Sequence, residues 1–435
     1  MVRFMFMIHE VVSSYYTEPK QMNSFTAVPT THLNLSYLSP ASPLPFLCLS
    51  SENFLSSQKL QALPMAMAMD KFWIYCMVVC LALAFVSGQG GNPFLPDIGG
   101  NGSETVPAMF VFGDSLIDNG NNNDLASLAK ANYFPYGIDF NGGPTGRFSN
   151  GYTMVDEIAQ QLGLPLIPAY SEASGDQVLH GVNYASAAAG ILDITGRNFV
   201  GRIPFDQQIQ NFQTTLDQIT DKLGAIDAAD SLAKCIFFVG MGSNDYLNNY
   251  LMPNYQTRDQ YNGQQYADFL VQKYTQQLRT LYNLGARKFV LAGLGRMGCI
   301  PSILAQSTGD GCSEEVNQLV VPFNANVKTM MNSLNAELPG ARFIYVDIAH
   351  LYEDIVANAG TYGFSVMDRG CCGIGRNRGQ ITCLPFQTPC DNRDEYVFWD
   401  AFHPTEKVNV IMARKAFNGD PSIVYPINIQ QLANL

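Results

Sequence analysis

The chain has 435 residues, long enough for more than one domain, and its 47% hydrophobic content suits a globular core. Charged residues make up only 14%, with 25 Lys and Arg against 37 Asp and Glu, a net charge of −12. An acidic, lysine-poor chain lacks the clustered cations that phosphate contacts need, which argues against a nucleic-acid partner.

Residues 1–64 are rich in Ser, Pro, Thr and Leu and show no sustained period. They read as an over-extended segment ahead of a start at Met65, Met67 or Met69. Met69-Asp70-Lys71 then leads into an unbroken apolar run from Phe72 to Val86, followed by Ser87-Gly88-Gln89. That run is shorter than the roughly 18–20 residues of a membrane span and fits a signal-peptide core. Residues 65–88 are therefore expected to be a signal peptide, leaving a secreted chain with no stable membrane span. The leader 89–104 carries the sequon Asn101-Gly102-Ser103, which makes Asn101 a glycosylation candidate. Residues 105–435 read as one domain.

The domain opens with a buried-strand pattern, Ala108–Phe112, that runs into Gly113-Asp114-Ser115-Leu116. A serine at the carboxyl end of a core strand sits where open α/β sheets present reactive groups. The Asn-rich stretch Asp118–Asp124 lacks the oxygen spacing of a calcium loop and reads as a turn-rich rim beside Ser115. Asn150 can cap a helix through Leu162. Asn183-Tyr184-Ala185-Ser186-Ala187-Ala188-Ala189-Gly190 is a run of small residues whose closing glycine can offer an N–H to a ligand. The strand-like Cys235–Val239 precedes Gly242-Ser243-Asn244-Asp245, which places the Asn244 amide at another strand's carboxyl end as a donor for an oxyanion.

Further along, Leu270, Tyr274, Leu278 and Leu281 mark one face of a helix over Tyr266–Asn283. The strand Lys288–Ala292 is followed by Gly293-Leu294-Gly295-Arg296-Met297-Gly298, a dinucleotide-type glycine pattern. Pro301 comes too soon for the helix that pattern requires, so the segment reads as a loop and no cofactor is expected. Ser313 caps a long helix with the core stripe Val316, Leu319, Phe323, Val327, Met330, Leu334 and Leu338. Arg342–Ile348 is the fourth strand candidate. Strands separated by long helical stretches imply a parallel sheet with helices on both faces.

Six cysteines lie in Gly/Pro-rich loops: Cys299, Cys312, Cys371, Cys372, Cys383 and Cys390. Their even number suits three bridges in a secreted protein, and their spacings do not match a zinc ribbon. Cys299 and Cys312 can close one loop, while the other four can pair in more than one way. Cys235 starts a strand and reads as a buried free thiol.

Near the C-terminus stands Trp399-Asp400-Ala401-Phe402-His403-Pro404. A serine hydroxyl needs a neutral imidazole to take its proton, and the imidazole needs a carboxylate to fix its tautomer. Asp400 and His403, three apart, can meet within one turn, with Pro404 at the first position of a helix. Asp347-Ile348-Ala349-His350 has the same spacing, but there Asp347 ends a strand and His350 runs into helix-like Leu351-Tyr352-Glu353.

Gly113-Asp114-Ser115-Leu116, Gly190, Gly242-x-Asn244-Asp245 and Asp400-x-x-His403, in that order, resemble the block pattern of the SGNH hydrolases, most closely the plant GDSL-type esterase/lipase branch. Pro144-Thr145-Gly146-Arg147-Phe148-Ser149-Asn150-Gly151, Gly298-Cys299-Ile300-Pro301, Cys371-Cys372-Gly373 and the Phe398-Trp399 and Pro404-Thr405 flanks are similar to that branch too. The resemblance implies a flavodoxin-like, single-domain α/β fold of three layers. It also implies a Ser115–His403–Asp400 triad, and an oxyanion hole from the N–H groups of Ser115 and Gly190 with the Asn244 side chain. The implied activity is hydrolysis of small-molecule or lipid acyl esters through an acyl-enzyme, without a cofactor or metal. An acyltransferase using the same acyl-enzyme, or a secreted binding protein with an idle triad, would carry the same blocks.

Overall fold

A computed structural model of the protein describes residues 106–309 and 311–435. The over-extended segment, signal peptide, leader and Asn101 sequon all lie outside the described residues.

The strands are β1 (Met109–Gly113), β2 (Ile236–Gly240), β3 (Lys288–Ala292), β4 (Arg342–Val346), β5 (Val366–Gly370), β6 (Tyr396–Phe398) and β7 (Val424–Tyr425). The main helices are α1 (Met154–Gln161), α2 (Phe205–Leu223), α3 (Ala225–Lys234), α4 (Gly263–Asn283), α5 (Glu314–Glu337), α6 (Ile348–Ala357), α7 (Glu406–Asn418) and α8 (Ile429–Ala433). β1 to β4 pair in parallel in sequence order, with Val111 beside Phe238, Phe238 beside Val290, and Val290 beside Ile344. β7 closes the β4 edge antiparallel.

The small-residue run lies along the free edge of β1. Val111 N–H donates to Val182 O at 3.0 Å, and Tyr184 N–H donates to Val111 O at 2.8 Å. The chain therefore passes from β1 to one side of it, then crosses to β2 on the other. That reversal is a topological switch point, where a crevice opens beyond the carboxyl ends of the strands.

Strand residues alternate between faces, and helices cover both, so the strands are apolar throughout. Phe110, Phe112, Phe237, Phe289 and Phe343 face α2, α4 and α5. The Phe289 and Phe343 rings stack at 4.2 Å. Met109, Val111, Phe238, Val290 and Ile344 face α1, α6, α7 and α8. Each fully buried aromatic contributes about 1.5–3 kcal/mol relative to exposure, enough for these rows to hold the layers together. The α5 stripe is core: Phe323, Val327 and Leu334 are buried, and Ser313 Oγ caps the helix by accepting from Val316 N–H.

Three expectations are corrected. Thr153, not Asn150, caps α1, through a capping box with Asp156. Asn150 instead accepts the N–H of Glu406 at 2.9 Å and so caps α7 from a distant part of the chain. Pro404 is not in α7: it pairs with Phe398 in a single antiparallel bridge, and the helix starts at Glu406 behind the N-cap Thr405. The stretch Asp118–Asp124 is largely a buried floor and not a rim. Its Asn119, Asn121 and Asn122 amides donate to the carbonyls of Ile167, Asn183 and Ala185, and Ala129 and Ala187. These side chains supply the hydrogen bonds that an irregular buried backbone cannot make with itself.

Candidate active site

Two strand ends and one C-terminal turn converge at the switch point. Ser115 follows β1, Asn244 follows β2, and Asp400 and His403 come from the turn between β6 and α7. The turn is tight because Asp400 Oδ1 accepts the N–H groups of Phe402 and His403, both at 2.8 Å. Trp399 N–H donates to His403 O at 2.8 Å, which closes it.

His403 Nδ1 lies 2.8 Å from Asp400 Oδ1 and 2.9 Å from Oδ2, while Nε2 lies 2.8 Å from Ser115 Oγ. A carboxylate only accepts, so Nδ1 carries the proton and Nε2 is left to accept from the serine hydroxyl. Burial pushes the Asp400 carboxyl up, but the His403 ring and the bonds from Tyr136 and Phe402 outweigh it and hold the group below the usual carboxylate range. Tyr136 Oη donates to Asp400 Oδ2 at 2.6 Å, and Thr382 Oγ1 donates to the same oxygen at 3.2 Å. The sequence offered no signal for these two, because neither lies near a motif. Phe148 packs against the imidazole with ring centres 5.0 Å apart.

Asn244 lines the cavity at Ser115. Asn248 Nδ2 donates to its Oδ1 at 2.5 Å, and its own Nδ2 donates to Ala189 O at 2.9 Å. This fixes the amide orientation and leaves a second Nδ2 proton. Gly190 is elsewhere. It is not part of the cavity wall, and a Cβ on it would fall 2.7 Å from both Asp245 carboxylate oxygens. Asp245 accepts from Ile191 N–H, Leu192 N–H and Thr195 Oγ1, so the glycine is what allows the chain to wrap that carboxylate.

Ala187 and Ala188 do line the cavity. Ala187 N–H is taken by Asp118 Oδ2 at 2.9 Å, and Ala189 N–H by Ser186 O at 3.1 Å. Ala188 lies between them in the left-handed region, at φ 65°. The decoy pair resolves as a helix cap: Asp347 Oδ1 accepts His350 N–H at the start of α6, and His350 is exposed. Gly293–Gly298 forms a loop along the cavity and opens no long helix.

The cavity measures about 250 Å³ and runs from Ser115 and His403 into apolar side chains of the α1–α7 face, among them Phe238, Val408 and Met412. The structure bridges Cys299 to Cys312, Cys371 to Cys390 and Cys372 to Cys383. Cys235 is free and buried, its thiol pushed up to about 12 by burial. No helix of the described residues is long and apolar enough to cross a membrane.

The GDSL-like lipase/acylhydrolase profile matches residues 109–416. The chain is 76% identical over 335 residues to the Arabidopsis thaliana GDSL esterase/lipase At1g71691, covering 77% of this chain and 87% of that protein. It is 54% identical over 373 residues to GDSL esterase/lipase At5g45670 of the same plant, covering 84% of this chain and 100% of that protein. With GDSL esterase/lipase At1g29670, also from Arabidopsis thaliana, it shares 50% identity over 372 residues, 84% of this chain and 99% of the other. The chain belongs to the GDSL-like lipase/acylhydrolase family, in its plant esterase/lipase branch, and is a serine hydrolase of ester bonds.

Proposed function

We propose that the protein is a secreted acyl-ester hydrolase in which Ser115 is the nucleophile, His403 the general base and then acid, and Asp400 the partner of the imidazole. The observation that carries this reading is the unbroken chain Ser115 Oγ, His403 Nε2, His403 Nδ1, Asp400 Oδ1, with both contacts at 2.8 Å, at the mouth of an apolar cavity. Ser115 Oγ attacks the ester carbonyl as His403 Nε2 takes its proton. The tetrahedral oxyanion is held by the Asn244 amide with the N–H groups of Ser115 and Ala188; Ala188 replaces Gly190 in this role. Collapse expels the alcohol, which receives the proton from His403. Water, activated by the same imidazole, then attacks the acyl-enzyme and releases the carboxylic acid.

Secretion is supported by the Phe72–Val86 run and by three disulfides in the domain, since such bridges persist in oxidising compartments. N-terminal sequencing of the protein from its native source should begin near Gln89.

The catalytic assignment is tested with p-nitrophenyl esters and a fluorophosphonate probe. Ser115→Ala and His403→Ala should each abolish turnover, and Ser115→Ala should abolish labelling. His350→Ala should retain most activity. Loss of activity in folded His350→Ala, with His403→Ala still active, would reverse the assignment.

A further inference from the structure

The deep part of the cavity is more apolar than ester cleavage alone demands. It lies under the His403 turn, between the sheet and α7. Phe238 projects from β2, Val397 from β6, and Val408 and Met412 stand one helical turn apart on α7; none is more than 7% exposed. Asn409, beside Val408, also lines the cavity, and its amide is tied to Tyr152 O at 2.9 Å. Such a wall rejects charged or hydrated groups, which would lose water without gaining partners. An alkyl chain gains roughly fourfold in binding for each methylene it buries. The space is also limited: about 250 Å³ falls below the ~300–1,000 Å³ of pockets that enclose drug-sized ligands.

We infer that this lobe seats the acyl chain of the substrate, that it selects a medium-length unbranched alkyl group, and that Met412 sets the length it admits. The inference rests on the hydrolase reading given above and specifies the substrate class of that site. α7 begins three residues after His403, so the turn that presents the imidazole leads directly into the helix that carries the wall of the lobe. An acyl chain lying along Val408 and Met412 enters beside the reacting serine, with its carbonyl left at Ser115. The leaving alcohol faces the outer rim, where Leu116 and Leu128 are exposed.

The test compares kcat/KM for p-nitrophenyl acetate, octanoate and palmitate. The wild-type protein should prefer octanoate over acetate by at least about tenfold, and over palmitate as well. Met412→Trp projects into the lobe and should lower the octanoate-to-acetate ratio about tenfold. Met412→Ala lengthens the lobe and should move the preference toward palmitate, which keeps the test decisive if the larger variant does not fold. A wild-type protein that favours acetate, or ratios within about twofold of wild type in both variants, would overturn the inference while leaving the esterase reading intact. If no ester is turned over and the fluorophosphonate does not label Ser115, the hydrolase reading itself fails.

Discussion

Gln208 completes the sheet edge at Gly113 with its side chain. Along the free edge of β1, Met109 N–H donates to His180 O and Val111 N–H to Val182 O, a ladder of period two. At Gly113 the carbonyl still accepts the Ser186 N–H at 3.0 Å, but the N–H finds no peptide acceptor: Gln208 Oε1 accepts Gly113 N–H at 3.0 Å, while its Nε2 donates to Gly113 O at 2.8 Å and to Ile203 O at 2.9 Å. The amide of α2 therefore stands in for a strand, two residues before Ser115, with no exposed surface.

Gln208→Leu should leave Gly113 N–H buried without an acceptor and cost about 1–3 kcal/mol. It should also lower kcat, because the turn that aims Ser115 loses its anchor. Gln208→Glu keeps the acceptor but sets a buried carboxylate against the Gly113 and Ile203 carbonyls, and should destabilise at least as much. Urea unfolding alongside p-nitrophenyl ester kinetics checks this. An unchanged kcat in folded Gln208→Leu would separate the clamp from the chemistry.

Asn244→Ala should lower kcat by about 10²–10³ in a protein that still folds, the usual cost of one oxyanion donor. Ala188→Gly should retain activity and gain about 1 kcal/mol, since φ 65° strains a residue that bears a Cβ. Thermal melts and steady-state kinetics on the two variants are the measurements.

The Cys372–Cys383 bridge holds Thr382 next to the Asp400 carboxylate. Replacing both cysteines by serine should cost about 2–5 kcal/mol. It should also lower kcat more than the corresponding loss of Cys299–Cys312. Among the seven cysteines of the described residues, iodoacetamide should modify Cys235 alone in the unreduced protein, and only after denaturation. Mass mapping reads both outcomes.

Burial pushes the Asp114 carboxyl from its ordinary 3.8 up to about 7, with the Leu116 N–H and the neighbouring His403 opposing it. The folded state therefore holds this proton more tightly than the unfolded chain does. Its contribution to stability is complete below about pH 4 and is lost as pH rises through about 7. Asp400 and Asp156 are shifted the other way, and their contributions are lost only as pH falls below the ordinary carboxylate range. Asp118 and Asp245 are raised by burial in the same direction, each to about 6, so melting temperature should fall between about pH 4 and pH 7, and Asp114→Asn should reduce that slope. Equal slopes in wild type and variant would remove Asp114 as the cause.

Much of this architecture is legible in the sequence. The four parallel strands are continuous apolar runs, because a sheet covered on both faces cannot tolerate polar residues on either. β5 and β7 left no such trace: Asp368 and Arg369 are exposed in β5, and β7 has two residues. The contacts among Ser115, His403 and Asp400 were readable because Asp400 and His403 share one turn and Ser115 follows a strand that its apolar run marks.

What escaped is non-local. The cap of α7 comes from Asn150, 256 positions away. The carboxylate of Asp400 is held by Tyr136 and by Thr382, which arrive on loops with no motif of their own. Ala188 borders the cavity and Gly190, to which the sequence pointed, does not, because a glycine signals close approach without saying what approaches. Here it is Asp245. The sequence by itself determined which side chains are chemically suited to catalysis, since hydroxyl, imidazole and carboxylate are fixed by residue type and short spacing. Only the tertiary structure decided which groups support them and what fills the space beside them, because hydrogen bonds and cavity walls depend on contacts between segments that the chain order keeps far apart.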